Sequence, residues 1–141
     1  MHVYQVSVNM TEENKGKVSV PDASPFEVSA PPEFDGAPGV WSPEQLFVAS
    51  AASCLMTTLF YFVRKKKLKI SSYESRASGT MEKTGRGLLF TSITVNATLC
   101  FTDSESMERA GEDFGRLAEK YCLVSNSMNL PVTFHLETTL E

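Results

Sequence analysis

The sequence predicts an α+β fold, and three patterns point to it. Residues 2–10 alternate as a strand does, with His2, Tyr4, Val6, Val8 and Met10 on one face and Val3, Gln5, Ser7 and Asn9 on the other. No charge occurs between Glu44 and Arg64, which marks one long apolar helix. Residues 88–101 alternate again, with Ile93, Val95, Ala97, Leu99 and Phe101 sharing a face. Strands grouped at the start, a helix, then a second mixed set give α+β rather than a doubly wound parallel sheet.

The elements follow in order. After the first strand, "TEENKGK" is a turn and "KVSV" a second strand, so the chain opens with an antiparallel hairpin. "PFEVSA" is a short third strand. Regular structure is excluded from "PPEFDGAPGVW" by Pro31, Pro32, Gly36, Pro38 and Gly39. A helix then starts cleanly. Ser42 is an N-cap, Pro43 fits the first helical position and Gln45 completes a capping box. The helix runs from 43 to about 66, roughly 36 Å at 1.5 Å per residue. Arg64-Lys65-Lys66-Lys67 complements the negative end of its dipole. "LKISSYESRASGTM" is a long polar strand, "EKTGRG" a turn and "LLFTSITVNATLCF" the next strand, with Cys100 on its other face. "DSESMERAGEDFGRLAEKYC" reads as helix, capped by Asp103 or Ser104, with Met107, Ala110, Phe114, Leu117 and Tyr121 at helical spacing. "CLVSNSMNL" is a further short helix ended by Pro131, and "VTFHLETTL" closes the chain as a strand. A length of 141 residues suits one domain, residues 1–141, with no repeat or linker.

Composition narrows the function. A net charge of −4 and no basic stripe exclude a nucleic-acid binder. The first residues lack the features of an export signal, so the expected location is the cytoplasm, where thiols stay reduced. Cys54, Cys100 and Cys122 stand 46 and 22 residues apart, without metal-site spacing, and His2 and His135 lie near opposite ends. Neither a metal nor a cofactor is expected. The long helix reaches membrane-spanning length. Ser50, Ser53, Thr57 and Thr58 dilute it and no partner span exists, so no membrane association is expected. A helix apolar on nearly all sides must be wrapped by protein. A chain of this size has a radius of gyration of only about 14 Å. One subunit cannot cover such a helix all round, which predicts an obligate homodimer with the helix at its centre.

A cysteine in an apolar helix ordinarily behaves as a small hydrophobe, so the residues alone leave Cys54 open between packing and chemistry. The same holds for Cys122, and Cys100 is given no role. "SPEQLFVASAASC", with "AEKYCLVSNSM" and "LPVTF" far downstream, resembles the OsmC/Ohr family of osmotically induced and organic hydroperoxide resistance proteins. The resemblance covers most of the chain. It rests on Pro43-Glu44-x-Leu46, the small-residue run into Cys54, and Cys122 followed by Val124-Ser125. It implies an intertwined α+β homodimer that reduces organic hydroperoxides during oxidative stress. It further implies that Cys54 attacks the peroxide, Cys122 resolves the product and Glu44 is the active-site glutamate. An external dithiol, of lipoyl type in the family, restores the thiols. Phe47, Leu55, Met56 and Phe60 are candidates for an apolar substrate wall, and each is equally readable as core. The alternative reading is a non-peroxidase relative that binds a small apolar ligand or transfers a thiol-linked group.

Two constraints accompany this reading. Glu44 precedes Cys54 by ten residues, about 15 Å along a straight helix and about 80° around it. The two therefore meet only if the helix breaks or if Glu44 approaches a thiol through another subunit or a folded-back loop. Apolar burial also raises a thiol's pKa, so an attacking thiolate needs compensation. The arginine that supplies it in the family's N-terminal hairpin is missing here, since no arginine precedes Arg64. Lys15 and Lys17 are the cations of the corresponding hairpin.

Overall fold

A computed structural model describes residues 1–141, which form two compact units, 1–47 and 48–141. The first holds an antiparallel sheet of β1 (Ser7–Glu12), β2 (Lys15–Val20) and β3 (Ala23–Val28), in chain order. Val8 pairs with Val18, and Val18 with Phe26. The first strand begins at Ser7, not at residue 2. Its partner sets that limit: β2 ends at Val20, and the pairing stops at Ser7 with Ser19. Ser29 ties the following loop down. Its hydroxyl donates to Asn14 O at 2.7 Å and accepts from Ala37 N at 2.9 Å. Gly36 is required there, because a Cβ would stand 1.5 Å from Ala30 O. The expected capping box forms. Gln45 N donates to Ser42 Oγ at 3.1 Å, and Ser42 N to Gln45 Oε1 at 3.0 Å.

Helix α1 (Pro43–Lys65) runs 23 residues without a break. Its buried positions are Ala51, Leu55, Leu59 and Val63, one stripe at four-residue spacing. That stripe belongs to the second unit, whose sheet has the order β4 (Ile70–Thr84), β5 (Gly87–Phe101), β6 (Val132–Leu140). Strands β4 and β5 are antiparallel across a tight turn. There Thr84 Oγ1 accepts from Arg86 N at 3.0 Å and donates to Gly87 O at 2.8 Å. The expected alternation holds: Ile93, Val95, Ala97, Leu99 and Phe101 are all buried. Strand β6 is parallel to β5 and sets buried Phe134 beside Val95.

A parallel pair needs a crossover, and three helices supply it: α2 (Ser104–Ala110), α3 (Phe114–Tyr121) and α4 (Leu123–Asn126). Asp103 is the cap of α2, accepting from Ser106 N at 2.7 Å. The single helix expected over 103–122 is broken at Gly111, which takes φ +84° and donates to Met107 O at 3.3 Å. A glycine reaches that φ without steric cost, and the letters around it fit an exposed helical face equally well. The break also shifts the buried stripe. Ser106, Ala110, Phe114, Ala118 and Cys122 are buried, whereas Met107 and Leu117 are half-buried and Tyr121 is exposed.

Candidate functional site

The site begins with one half-buried and one buried sulfur. Cys54 sits at the edge of the α1 stripe, one residue before the packed Leu55. Cys122 is fully buried at the junction of α3 and α4, with φ −68° and ψ 104°. Cys122 caps α4, a role usually taken by an oxygen: its Sγ accepts from Ser125 N at 3.5 Å. The Ser125 hydroxyl donates to Cys122 O at 3.3 Å. The first backbone N–H groups of a helix have no partner within it. Those of Val124 and Leu123, with the Cys122 thiol, lower the Cys54 ionisation, so the Cys54 sulfur lies near the start of α4. Both cysteines are reduced. Thr58, one turn after Cys54, places its Oγ1 3.9 Å from Cys54 Sγ.

These contacts drive the two thiols apart. Burial pushes Cys54 up, but bonds from Val124 N–H, the Cys122 thiol, the Thr58 hydroxyl and Leu123 N–H outweigh it. The net result lies below an ordinary cysteine, because each donor favours the charged form. Cys122 goes the other way. Burial raises it, Ser125 offsets part of this, and the bond to Cys54 together with the Cys54 charge raises it again. A titratable pair whose environments pull in opposite directions gives one member for attack and one that keeps its proton.

The family model for OsmC-like proteins matches residues 36–137. The chain belongs to the OsmC-like family. Solved structures of similar fold include an OsmC-like protein of unknown function from Vibrio cholerae, 20% identical with TM-score 0.79, which covers 96% of this chain and 100% of its own. An organic hydroperoxide resistance protein OsmC from Legionella pneumophila is 19% identical, with TM-score 0.71 and 99% of both chains covered. The organic hydroperoxide resistance protein of Bacillus subtilis is 19% identical, with TM-score 0.65 over 95% of this chain and 98% of its own. No curated protein matches the chain.

In this OsmC-like chain the other expected site residues are spread more widely. Glu44 lies in the first turn of α1, and its Oε1 is buried without a hydrogen-bond partner. The unbroken α1 removes a helix break as a route between Glu44 and Cys54. Lys15 is engaged by carboxylates, 3.7 Å from Glu12 Oε2 and 3.6 Å from Glu27 Oε2, and Lys17 pairs in register with Asn9 and Glu27. Leu55 is packed in the core at 1% exposure. Phe47, Met56 and Phe60 are half-buried, and Phe60 meets Tyr73 edge-on at 5.6 Å. A cleft of about 560 Å³ is lined by Thr57, Thr58, Tyr61, Phe62, Lys65 and Tyr121, not by those four and not by either sulfur. No group of three or more His, Cys, Asp or Glu side chains converges where a metal ion could sit.

Sequence reasoning missed Thr58 and the N–H groups of Leu123 and Val124. The available signals were a threonine four residues after a helical cysteine, and a serine three residues after Cys122, the spacing of a cap. A backbone donor can be removed at one position without breaking α4. Proline is favoured at the first helical position, and the extended Cys122 before it suits a following proline. Leu123→Pro therefore deletes one donor to Cys54. We expect the alkylation rate of Cys54 at pH 7 to fall a few-fold, about one hydrogen bond's worth. The check is iodoacetamide labelling resolved by cysteine, with helix content followed by circular dichroism.

Proposed function

We propose that this OsmC-like protein reduces organic hydroperoxides with two cysteines. The reading rests on one feature above all: Cys54 and Cys122 are close enough to shift each other's ionisation, and their surroundings bias Cys54 toward thiolate and Cys122 toward thiol. The organic hydroperoxide resistance proteins of similar fold support it as relatives in shape. The Cys54 thiolate attacks the distal peroxide oxygen. The O–O bond breaks, the alkoxide takes up the proton that the thiol gave up, and an alcohol leaves. Cys54 becomes a sulfenic acid. The Cys122 sulfur displaces hydroxide from it, an S–S bond forms and water departs. An external dithiol, of lipoyl type in this reading, gives two electrons and two protons to restore both thiols. A reducing cytoplasm keeps them free between cycles.

In this reading neutral donors at Cys54 take the part for which Lys15 or Lys17 was the expected source. Glu44 keeps its place as the site glutamate, its buried oxygen answered by a group from a second subunit. A homodimer accounts for α1 as well. The helix is long and apolar enough to cross a membrane, yet only 22% of its most apolar window is buried within one chain. A second copy of the helix-bearing unit covers the remainder without lipid.

The test is a titration of fully reduced protein with tert-butyl hydroperoxide in the absence of reductant. We expect one equivalent of tert-butanol, loss of two thiols and a Cys54–Cys122 cross-linked peptide. Peroxide left unconsumed over reduced cysteines excludes the reading and leaves the cleft as a ligand site.

A further inference from the structure

Hydroxyl side chains inside a helix normally bond back to a carbonyl three or four residues earlier. Two residues of α1 do so near the thiol. Ser53 Oγ donates to Ala49 O at 2.7 Å, and Thr57 Oγ1 donates to Cys54 O at 3.1 Å. Thr58 does not. The Cys54 carbonyl already takes the Thr57 hydroxyl together with the helical N–H of Thr58, so its two lone pairs are engaged. The Thr58 hydroxyl turns instead to the Cys54 sulfur, at 3.9 Å. Thr58 also lines the cleft, with Tyr61, Phe62 and Tyr121. Thr58 thus links the sulfur, through its hydroxyl, to the wall of the cleft.

We propose that Thr58 is the positioning residue of the Cys54 nucleophile: its hydroxyl donates to the thiolate and holds the sulfur against the cleft wall that Thr58 forms with Tyr61, Phe62 and Tyr121. This rests on the reading of Cys54 as the attacking thiol. A neutral thiol accepts hydrogen bonds weakly, whereas a thiolate accepts them well, so the contact strengthens when the proton leaves. The direction in which Thr58 moves the Cys54 ionisation agrees with this. The titratable groups facing the region are Cys122 at the α3–α4 junction, and Tyr61, Lys65 and Tyr121 on the cleft wall.

Thr58→Val removes the hydroxyl and keeps the branched shape, while Thr58→Ser restores the hydroxyl. Iodoacetamide labelling across pH, resolved by cysteine with peptide mass spectrometry, reads the Cys54 ionisation without any peroxide. Thr58→Val should move the Cys54 midpoint up by about one pH unit, and Thr58→Ser should return it toward wild type. The kcat/KM for tert-butyl hydroperoxide at neutral pH should fall about tenfold in the valine variant and recover in the serine variant. Should the valine variant not fold, Thr58→Ala gives the same comparison. A hydroxyl-free variant with an unmoved Cys54 profile overturns the assignment. Absence of peroxide turnover in wild type, with the profile shifting as expected, overturns the peroxidase reading and leaves Thr58 as the residue that sets the thiol.

Discussion

Cys54→Ser should abolish the proposed hydroperoxide turnover, with an expected loss of at least about a thousandfold. The thiolate is the reactive form of cysteine, and the donors around Cys54 favour that charged form. A serine hydroxyl in the same place stays protonated whatever Leu123, Val124 and Thr58 contribute, and no other group adjoins the cleft with comparable chemistry. Cys122 does not compensate, because its environment raises its pKa and it is fully buried. The fold should be indifferent to the change. Cys54 lies at the half-exposed edge of the α1 stripe, while Leu55 and Leu59 carry the packing. The expected stability change is within about 1 kcal/mol. Peroxide consumption with excess dithiothreitol, alongside a melting curve, checks both halves. A Cys54→Ser protein that melts normally and still consumes peroxide at the wild-type rate removes Cys54 from the chemistry.

Much of the fold was visible in the letters because its signals are local or periodic. Ser42, Pro43 and Gln45 fix the start of α1 within four residues of one another, so the capping box was readable. The five inward positions of β5 repeat every second residue, and all five are buried. What the letters concealed was non-local or conformational. Whether Val132–Leu140 pairs parallel to β5 depends on a crossover about thirty residues long and not on the strand's own composition. The break at Gly111 is set by a single φ, and "RAGED" suits the outer face of a continuous helix as well as its interruption.

The site divides along the same line. Cys54 and Cys122 were singled out by the family resemblance. The neutral donors that lower the Cys54 ionisation were not foreseen, since the expectation looked for a charged side chain. Two of the donors at Cys54 are peptide N–H groups, which every residue but proline carries, so no letter announces them. They become useful through their place at the start of α4, before the helix can engage them. The buried Oε1 of Glu44 is different in kind. A buried carboxyl oxygen without a partner in a single chain is costly, and the proposed homodimer offers the place for its donor.

The second large effect separates the two sulfurs. Cys122→Ser should leave the first chemical step and remove the second. Cys122 has a structural duty as the cap of α4, through Ser125 N–H. Serine is among the best caps, so the substitution keeps that bond and α4 with it. The Cys54 thiol loses one hydrogen bond from sulfur and gains a hydroxyl in its place, so attack should proceed within a few-fold of the wild-type rate. Nothing then condenses with the sulfenic acid. Without reductant, one equivalent of hydroperoxide should yield one equivalent of alcohol and a Cys54 sulfenic acid that dimedone traps, with no cross-linked peptide. Excess hydroperoxide should carry Cys54 on to the sulfinic acid, two oxygens heavier than the thiol, whereas wild-type protein under the same treatment stops at the disulfide. The contrast depends on the two thiols meeting without rearrangement, because a resolving thiol protects only if condensation outpaces a second peroxide. Wild-type protein that overoxidises as fast as Cys122→Ser would mean that the neighbouring thiols do not form a bridge, and that Cys122 serves as the cap of α4 alone.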